Sequence, residues 1–212
     1  VVCGIFYFKN AHQSLLDGMK IEKVSTASKV VISKLNWEEY FTLETKLEVI
    51  ENEAGELEKV FYIDHLQLKE EYREQFILDN QYAFKYGVIT ELKENELDID
   101  GEIISRETIN SSIDDVDCDT YRIMDNDKCV GGIIVKINKE TKRNALEILY
   151  INPNCHNKGY GQRAWKLIED IYPETNVWET CTPYFERRNI HFYVNKCGFH
   201  IVKYINEKNP DP

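Results

Sequence analysis

The sequence is poor in basic charge and in long apolar runs. Lys and Arg number 26 against 37 Asp and Glu, which gives a formal net charge of −11. This deficit argues against general nucleic-acid binding, which needs a basic face. No apolar run approaches the roughly 18 residues that a membrane-spanning helix requires. We therefore expect neither a nucleic-acid partner nor a membrane partner. The 212 residues, 42% of them hydrophobic, are enough for one good core.

Cysteine pairs and metal-ligand patterns are also missing. The six cysteines form no C-x-x-C motif and the five histidines show no ligand spacing, so we expect no metal site. Reduced, buried thiols in a cytoplasmic protein are the expected state. The apolar start, VVCGIFYF, has no basic region or cleavage site, and we do not interpret it as a signal peptide. Because the chain does not begin with Met, the native status of its first residues is left open.

One stretch carries most of the information: ALEILYINPNCHNKGYGQ, at residues 145–162. Residues 145–151 are apolar except for Glu147 and predict a strand. The Asn-Pro-Asn sequence that follows predicts a turn. Gly159 and Gly161 come next. From Ala164 onward, apolar residues at helical spacing predict an amphipathic helix.

A glycine loop that opens a helix is suited to binding phosphate. The first backbone N–H groups of a helix lack intrahelical acceptors, and the helix dipole adds partial positive charge there. Glycine has no Cβ atom, so a ligand can come close to the main chain. The alternative is a plain strand-turn-helix in which Gly159 and Gly161 only make the turn. A P-loop would need Lys and Ser or Thr after its last glycine, and a dinucleotide-binding fingerprint would need a third glycine.

Two motifs together resemble the GNAT superfamily of acetyl-CoA-dependent N-acetyltransferases. The family's acetyl-CoA loop is Gln/Arg-x-x-Gly-x-Gly/Ala, and here it reads HNKGYG from His156 to Gly161. NIHFYVNKCGF at residues 189–199 resembles the family's late helix, Phe/Leu-Tyr-x-Lys-x-Gly-Phe, with one residue more between Tyr193 and Lys196. The resemblance implies an α/β (α+β) fold: a central, mixed, mostly antiparallel twisted sheet flanked by helices. It assigns residues 56–212 to the acetyltransferase domain and leaves residues 1–55 as an N-terminal extension of unknown role.

The resemblance also implies an activity. Members transfer an acetyl group from acetyl-CoA to a primary amine, which attacks directly within a ternary complex. The acceptor, a small molecule or a peptide amine, is left open, and so is the oligomeric state, including a homodimer. One alternative is a non-catalytic acyl-CoA sensor or scaffold of the same fold. Another is an unrelated nucleotide-binding α/β protein.

The same resemblance suggests the site residues. Glu147 is expected to act as the base, because a carboxylate within an apolar strand has a raised pKa. Tyr193 is expected to protonate the CoA sulfur. The alternatives are that Glu147 faces solvent or pairs with a Lys, and that Tyr193 is a core residue. Asn189 is expected to contact the pantetheine arm, although many members carry an Asn where this chain has Glu186. The implied acetyl-CoA contacts are Leu149, Tyr150, Ile151, His156, Asn157, Lys158, Gly159, Tyr160, Gly161, Gln162, Arg163 and Asn189.

Four further expectations concern the fold. Helical spacing from Asn36 to Ile50 predicts one helix, and residues 68–86 predict another that ends at Gly87. Gly131 and Gly132 within a strand predict a bulge or a close backbone approach. The N-terminal strand is expected to complete an open edge of the sheet, in cis or from a partner.

Overall fold

The computed structural model describes residues 3–9, 46–51, 57–65, 70–92 and 101–205. The strands are β1 (Cys3–Lys9), β2 (Lys46–Glu51), β3 (Leu57–His65), β4 (Cys118–Asp125), β5 (Lys128–Lys136), β6 (Arg143–Ile151), β7 (Val177–Pro183) and β8 (His200–Tyr204). The helices are α1 (Glu70–Leu92), α2 (Arg106–Asp114), α3 (Tyr160–Ile171) and α4 (Arg187–His191). A 3-10 turn covers Pro153–Cys155, and α4 continues into a π-helical turn at Phe192–Lys196.

The described strands form one mixed sheet in the order β2-β3-β4-β5-β6-β7-β1-β8. Every neighbouring pair is antiparallel except β6 and β7, which run parallel. A parallel pair needs a crossover connection, and α3 supplies it. The expected architecture, a mostly antiparallel mixed sheet with flanking helices, is confirmed. None of the helices among the described residues is long and apolar enough to cross a membrane.

Both faces of the sheet are covered. On one face α3 packs its apolar side into the larger core, where Trp165, Trp178 and Phe199 are buried. On the other face α1 and α2 cover a smaller core that contains Phe76 and Ile109. The middle strand β5 is buried at six consecutive positions, as expected for a strand with helices on both sides.

A bulge in β6 lies next to the predicted base. The register with β5 pairs Val135 with Leu146 and Ile134 with Ile148, so Glu147 is the extra residue. Because of this bulge, Leu146 faces the α3 core although Ile148, two positions on, faces the α1 core. A bulge re-aims the side chains on either side of it.

Two helix predictions need correction. Residues 46–51 form strand β2 and not the end of a helix; residues 36–45 lie outside the described part of the chain. The second helix, α1, does not stop at Gly87 but continues through it to Leu92. Gly87 is a helix-interior glycine, and its role is in packing, as described below.

The expectation for the paired glycines is confirmed, whereas the N-terminal strand joins the sheet but does not complete its edge. A Cβ atom at Gly132 would lie 2.2 Å from a ring carbon of Phe76, and the neighbouring β4–β5 register contains a bulge. Strand β1 joins the sheet of its own chain, but between β7 and β8 and not at an edge. Since β1 and β2 both come from residues 1–55, that segment shares the sheet, and the division at residue 55 stays a prediction.

Candidate active site

The parallel strands β6 and β7 separate part-way along their length. Their pairing ends at Leu146 and Thr180, and the Thr180 hydroxyl donates to the Leu146 carbonyl at 2.9 Å. Beyond this point β6 continues along β5 and β7 continues along β1. The fork thus opens beside the main chain of residues 149–151, the segment expected to face the thioester.

Leu149, Tyr150 and Ile151 alternate across the sheet at the fork. Leu149 and Ile151 pack against the α3 core, whereas Tyr150 lies on the α1 side with its ring edge-on to Phe76 at 5.2 Å. Burial raises the pKa of Tyr150 well above its ordinary value. Their expected contact with a cosubstrate involves main-chain groups and stays a prediction.

The glycine loop has the backbone that a phosphate site requires. Gly159 caps α3 in the left-handed region with φ of 76°, and a Cβ atom there would meet nothing within 4 Å. Asn157 is also left-handed, at φ 62°. The helix begins its hydrogen bonding with Arg163 N to Gly159 O at 3.1 Å, so the N–H groups before it point away from the helix. This exposed helix start fits a pyrophosphate group.

Gly161 serves a different purpose from the one expected. A Cβ atom at this position would lie 3.2 Å from a ring carbon of Phe192 and 3.7 Å from the Ile151 side chain. The absence of a side chain therefore lets the first turn of α3 approach the last helix and the end of β6. Gly161 thus has a role in packing, and its expected contact with the cosubstrate stays a prediction.

The loop's other side chains divide into exposed and packed groups. Lys158 is exposed and free to reach an anion. The Tyr160 ring is buried and stacks on Phe61, and its hydroxyl donates to Asp125. The Arg163 guanidinium lies 4.0 Å from the Phe61 ring centre, a cation–π contact. Apart from these packed groups, Gln162 donates to the Lys196 carbonyl at 3.0 Å and ties the loop to the π-helical turn.

His156, which replaces the family's Gln or Arg, links the loop to the fork. Its Nε2 lies 2.8 Å from the Ile151 carbonyl and its Nδ1 lies 3.0 Å from Arg188 Nη1. Since the guanidinium can only donate, Nδ1 accepts and Nε2 carries the hydrogen, which defines a neutral imidazole. Burial, together with the nearby Arg188, lowers the pKa of His156. The side chain positions the loop and orients Arg188.

Tyr193 lies next to the fork, at the point where β6 and β7 stop pairing. It is buried and packs edge-on to Phe192 and Phe199. Its side chain is hydrogen-bonded to Thr180, the last residue of β7 that pairs with β6. Burial raises the pKa of its phenol. The extra residue noted in the motif is taken up by the π-helical turn, where Cys197 N donates to Phe192 O at 3.1 Å.

Glu147 is exposed and not enclosed by apolar side chains. Its nearest described charges include Lys136 on the neighbouring strand, whose pKa it helps to raise. The burial assumed for a raised carboxylate pKa is therefore not present at Glu147. Its assignment as base stays a prediction. Asn189 donates to the Thr182 hydroxyl at 3.3 Å, so it too lies beside β7 at the fork.

The residue that sequence reasoning missed is Glu186. It follows β7 directly and is only 6% exposed. A Cβ atom on Gly87 would lie 3.2 Å from its Oε1, so the helix-interior glycine allows α1 to approach this carboxylate. Burial and the charge of Glu91 raise the pKa of Glu186, and Arg188 opposes them.

The chain belongs to the acetyltransferase (GNAT) family, whose model matches residues 88–199. It is therefore an acyltransferase by family. It is similar to the uncharacterized protein YrkN of Bacillus subtilis (strain 168), with 46% identity over 132 residues, 62% of this chain and 70% of that protein.

Solved structures with a similar fold include two acetyltransferases. PaiA N-acetyltransferase from Thermoplasma acidophilum, in complex with coenzyme A, is 17% identical with a TM-score of 0.46, covering 63% of this chain and 87% of that one. Tetrahymena GCN5 is 20% identical with a TM-score of 0.46, covering 69% of this chain and 84% of that one.

Within the described ranges, no group of three or more His, Cys, Asp or Glu side chains is arranged to hold a metal ion.

Proposed function

We propose that this chain transfers an acetyl group from acetyl-CoA to a primary amine by direct attack within a ternary complex. The observation that carries the proposal is the position of the glycine loop. It opens α3 with an accessible left-handed Gly159, and its first residue, His156, is hydrogen-bonded to Ile151 at the open end of the β6–β7 fork. A pyrophosphate held by the loop would direct the rest of the cosubstrate toward the fork.

The reaction makes three demands on the protein. The pyrophosphate would be held by backbone N–H groups of residues 157–162, with Lys158 as a charge partner. The thioester carbonyl would be polarised by a main-chain N–H of residues 149–151, on the strand edge that faces the fork. The amine must lose a proton and the departing thiolate must gain one. For the second transfer we propose Tyr193, whose phenol lies at Thr180 where the strands part.

A non-catalytic acyl-CoA-binding module is the second candidate. This candidate is supported by the packing of Tyr193 between Phe192 and Phe199, which gives the side chain a role in the core without any part in catalysis. Such a module would bind CoA tightly, release no thiol with any amine and be indifferent to Tyr193→Phe.

Calorimetric titration with acetyl-CoA, and with CoA alone, tests the shared first step. We expect Gly159→Trp to abolish binding, because the indole would fill the space in front of the helix start. Gly101→Trp is the matched control, since Gly101 also has a positive φ (103°) and open space around its Cβ position but lies outside the loop. If the folded wild-type protein binds neither compound, the glycine loop serves only as a turn and the proposal is refuted.

A further inference from the structure

We propose that Glu186 takes the proton from the acceptor amine, and that Glu186 and Glu91 together select amines that arrive as cations. This inference rests on the proposed acetyltransferase function. It concerns the proton acceptor, the role that the sequence suggested for Glu147, whose side chain the structure leaves exposed.

The backbone holds Glu186 at the mouth of the fork. Glu186 N donates to Pro183 O at 3.1 Å, directly after β7, and its carbonyl accepts from Ile190 N at 3.0 Å in the first turn of the last helix. Both ends of the residue are therefore anchored, one to the strand that leaves the fork and one to the helix that carries Tyr193. The charge of Glu186 is close enough to raise the pKa of Tyr193.

The Glu186 side chain is largely enclosed and has no partner among the described residues, but its carboxylate oxygens are not fully cut off from solvent. With 6% exposure it is among the most buried acids of the described chain, yet it makes no hydrogen bond or ion pair with any described residue. Buried carboxylates are normally paired, because an isolated buried charge is costly. A largely enclosed carboxylate that is unpaired among the described residues and still within reach of solvent therefore suits a group that binds a cation or receives a proton during the reaction.

The surroundings of Glu186 keep it available. Gly87 has no side chain where the backbone of α1 passes the carboxylate, so no side chain at this position crowds Oε1. Glu91, one turn further along α1, is 14% exposed in its side chain and accepts from Arg187 Nε at 3.4 Å and Arg188 N at 3.3 Å. Glu91 is thus satisfied by α4, whereas Glu186 is not. Burial first, and then the charge of Glu91, raise the pKa of Glu186 above its ordinary value, and Arg188 opposes them.

The two acidic side chains also define the acceptor's charge. A primary alkylamine is mostly an ammonium ion at neutral pH, and the carboxylate of Glu186 attracts it; Glu91 adds negative charge that Arg187 and Arg188 partly offset. Once bound, the ammonium gives one proton to Glu186. The freed nitrogen lone pair attacks the thioester carbonyl, the carbon–sulfur bond breaks, and the thiolate takes a proton from Tyr193 or from water. The nitrogen loses its second proton to solvent, Glu186 releases its proton to solvent, and Tyr193, where it was the donor, takes one back. The net reaction converts an ammonium ion and acetyl-CoA into the amide, the CoA thiol and one released proton.

Glu147 is the competing assignment and provides the matched control. Both residues are glutamates close to the fork, but Glu147 is exposed on a bulge beside Lys136 whereas Glu186 is enclosed. Glu186→Gln and Glu147→Gln make the same change in charge and size. A difference between their effects therefore reports on position alone.

The experiment measures thiol release from acetyl-CoA with spermidine, kanamycin, lysine and an alanyl peptide as amines, from pH 6 to pH 10. For the amine that reacts best, we expect Glu186→Gln to lower kcat/KM about 10²-fold or more at pH 7, the usual contribution of a general base. The loss should shrink as pH approaches the amine's own pKa, because bulk solvent then deprotonates the amine. Glu147→Gln tests the competing base and should lose clearly less than Glu186→Gln. Glu140→Gln, at an exposed position in the turn between β5 and β6, should stay within about threefold of wild type.

A second variant keeps the test sharp if Glu186→Gln folds poorly. The charge of Glu91 raises the pKa of Glu186, so Glu91→Gln should lower it. Activity requires the deprotonated base, so the acid limb of the wild-type profile should move to lower pH in Glu91→Gln. Arg188, which opposes Glu91, and Tyr193 are the other groups near this carboxylate, and both are retained.

The outcomes separate the two proposals. Suppose that the wild-type protein releases thiol. If Glu186→Gln releases it at the same rate, or at a rate reduced by the same factor at every pH, the role of Glu186 is overturned and the acetyltransferase function stands. A larger loss in Glu147→Gln than in Glu186→Gln also overturns it. No release by wild type with any amine, although acetyl-CoA binds, refutes the function and this inference with it.

Discussion

Replacement of Gly87 by Ala should make the protein more stable and less active. Gly87 lies within α1, where glycine is about 0.5–1 kcal/mol less favourable than alanine. The new Cβ atom would lie 3.2 Å from Glu186 Oε1, 3.7 Å from Oε2 and 3.8 Å from Cδ. Only the first of these contacts is tight, and the atom that must move is the end of a side chain with no hydrogen bond to lose among the described residues. The helix gain should therefore exceed the steric cost.

The expected size follows from these terms. A net gain of up to about 1 kcal/mol corresponds to a rise in Tm of about 2–4 °C for a chain of this length. A base displaced by a few tenths of an ångström should lose about three- to tenfold in kcat/KM, given that about 1 Å costs roughly 10²-fold. Thermal unfolding followed by circular dichroism measures the first effect, and amine-dependent thiol release measures the second.

The double variant Gly87→Ala with Glu186→Gln completes the cycle. If Gly87 acts through Glu186, the alanine should change kcat/KM little once the carboxylate is gone, although its effect on Tm should persist. A lower Tm in Gly87→Ala would mean that the backbone, and not the side chain, gives way. Wild-type activity in Gly87→Ala would refute the reasoning that this approach of α1 positions a reacting group.

Three other substitutions test the site and the sheet. Gly132→Ala should destabilise the fold by about 1–3 kcal/mol in urea unfolding, because its Cβ would overlap the ring of Phe76; a loss below 0.5 kcal/mol (roughly the size of a surface change) would contradict this packing. Gly159→Ala should cost about 1–2 kcal/mol because of its positive φ, and Gly159→Asn less, since asparagine tolerates the left-handed region; equal unfolding midpoints would disprove the conformational argument. Tyr193→Phe should retain acetyl-CoA binding in calorimetry but slow thiol release about 10²-fold; unchanged turnover would assign Tyr193 to the core alone.

The centre of the fold could be predicted because its signals are local. The strand, turn, glycine loop and helix of residues 145–171 follow from periodicity and turn chemistry, and the structure has them as β6, a 3-10 turn and α3. The apolar spacing before residue 51 gave a wrong helix prediction because it, too, is only a local signal. Leu47 and Ile50 suit a helical face, but pairing with β3 made this segment a strand, a tertiary effect that spacing cannot report.

The candidate site was harder to predict because its key contact joins distant parts of the chain. Gly87 looked like a helix end, since glycine commonly follows the last turn of a helix. Its actual role depends on Glu186, which lies about a hundred positions later and reaches α1 only through the sheet. Glu147, in contrast, had the expected apolar neighbours in sequence, but a one-residue bulge left its side chain in solvent.

The π-helical turn shows how a fold of this family can change length without a loop. One residue added to a regular α-helix rotates everything after it by about 100°. Here the widened turn at Phe192–Lys196 absorbs the added residue locally, so that Tyr193 within the turn and Phe199 after it both remain in the core. Related sequences that differ by one residue at this point should be aligned with the gap inside the helix. A one-residue insertion at this turn can therefore change the orientation of the Tyr193 phenol at the fork while the surrounding core residues keep their contacts.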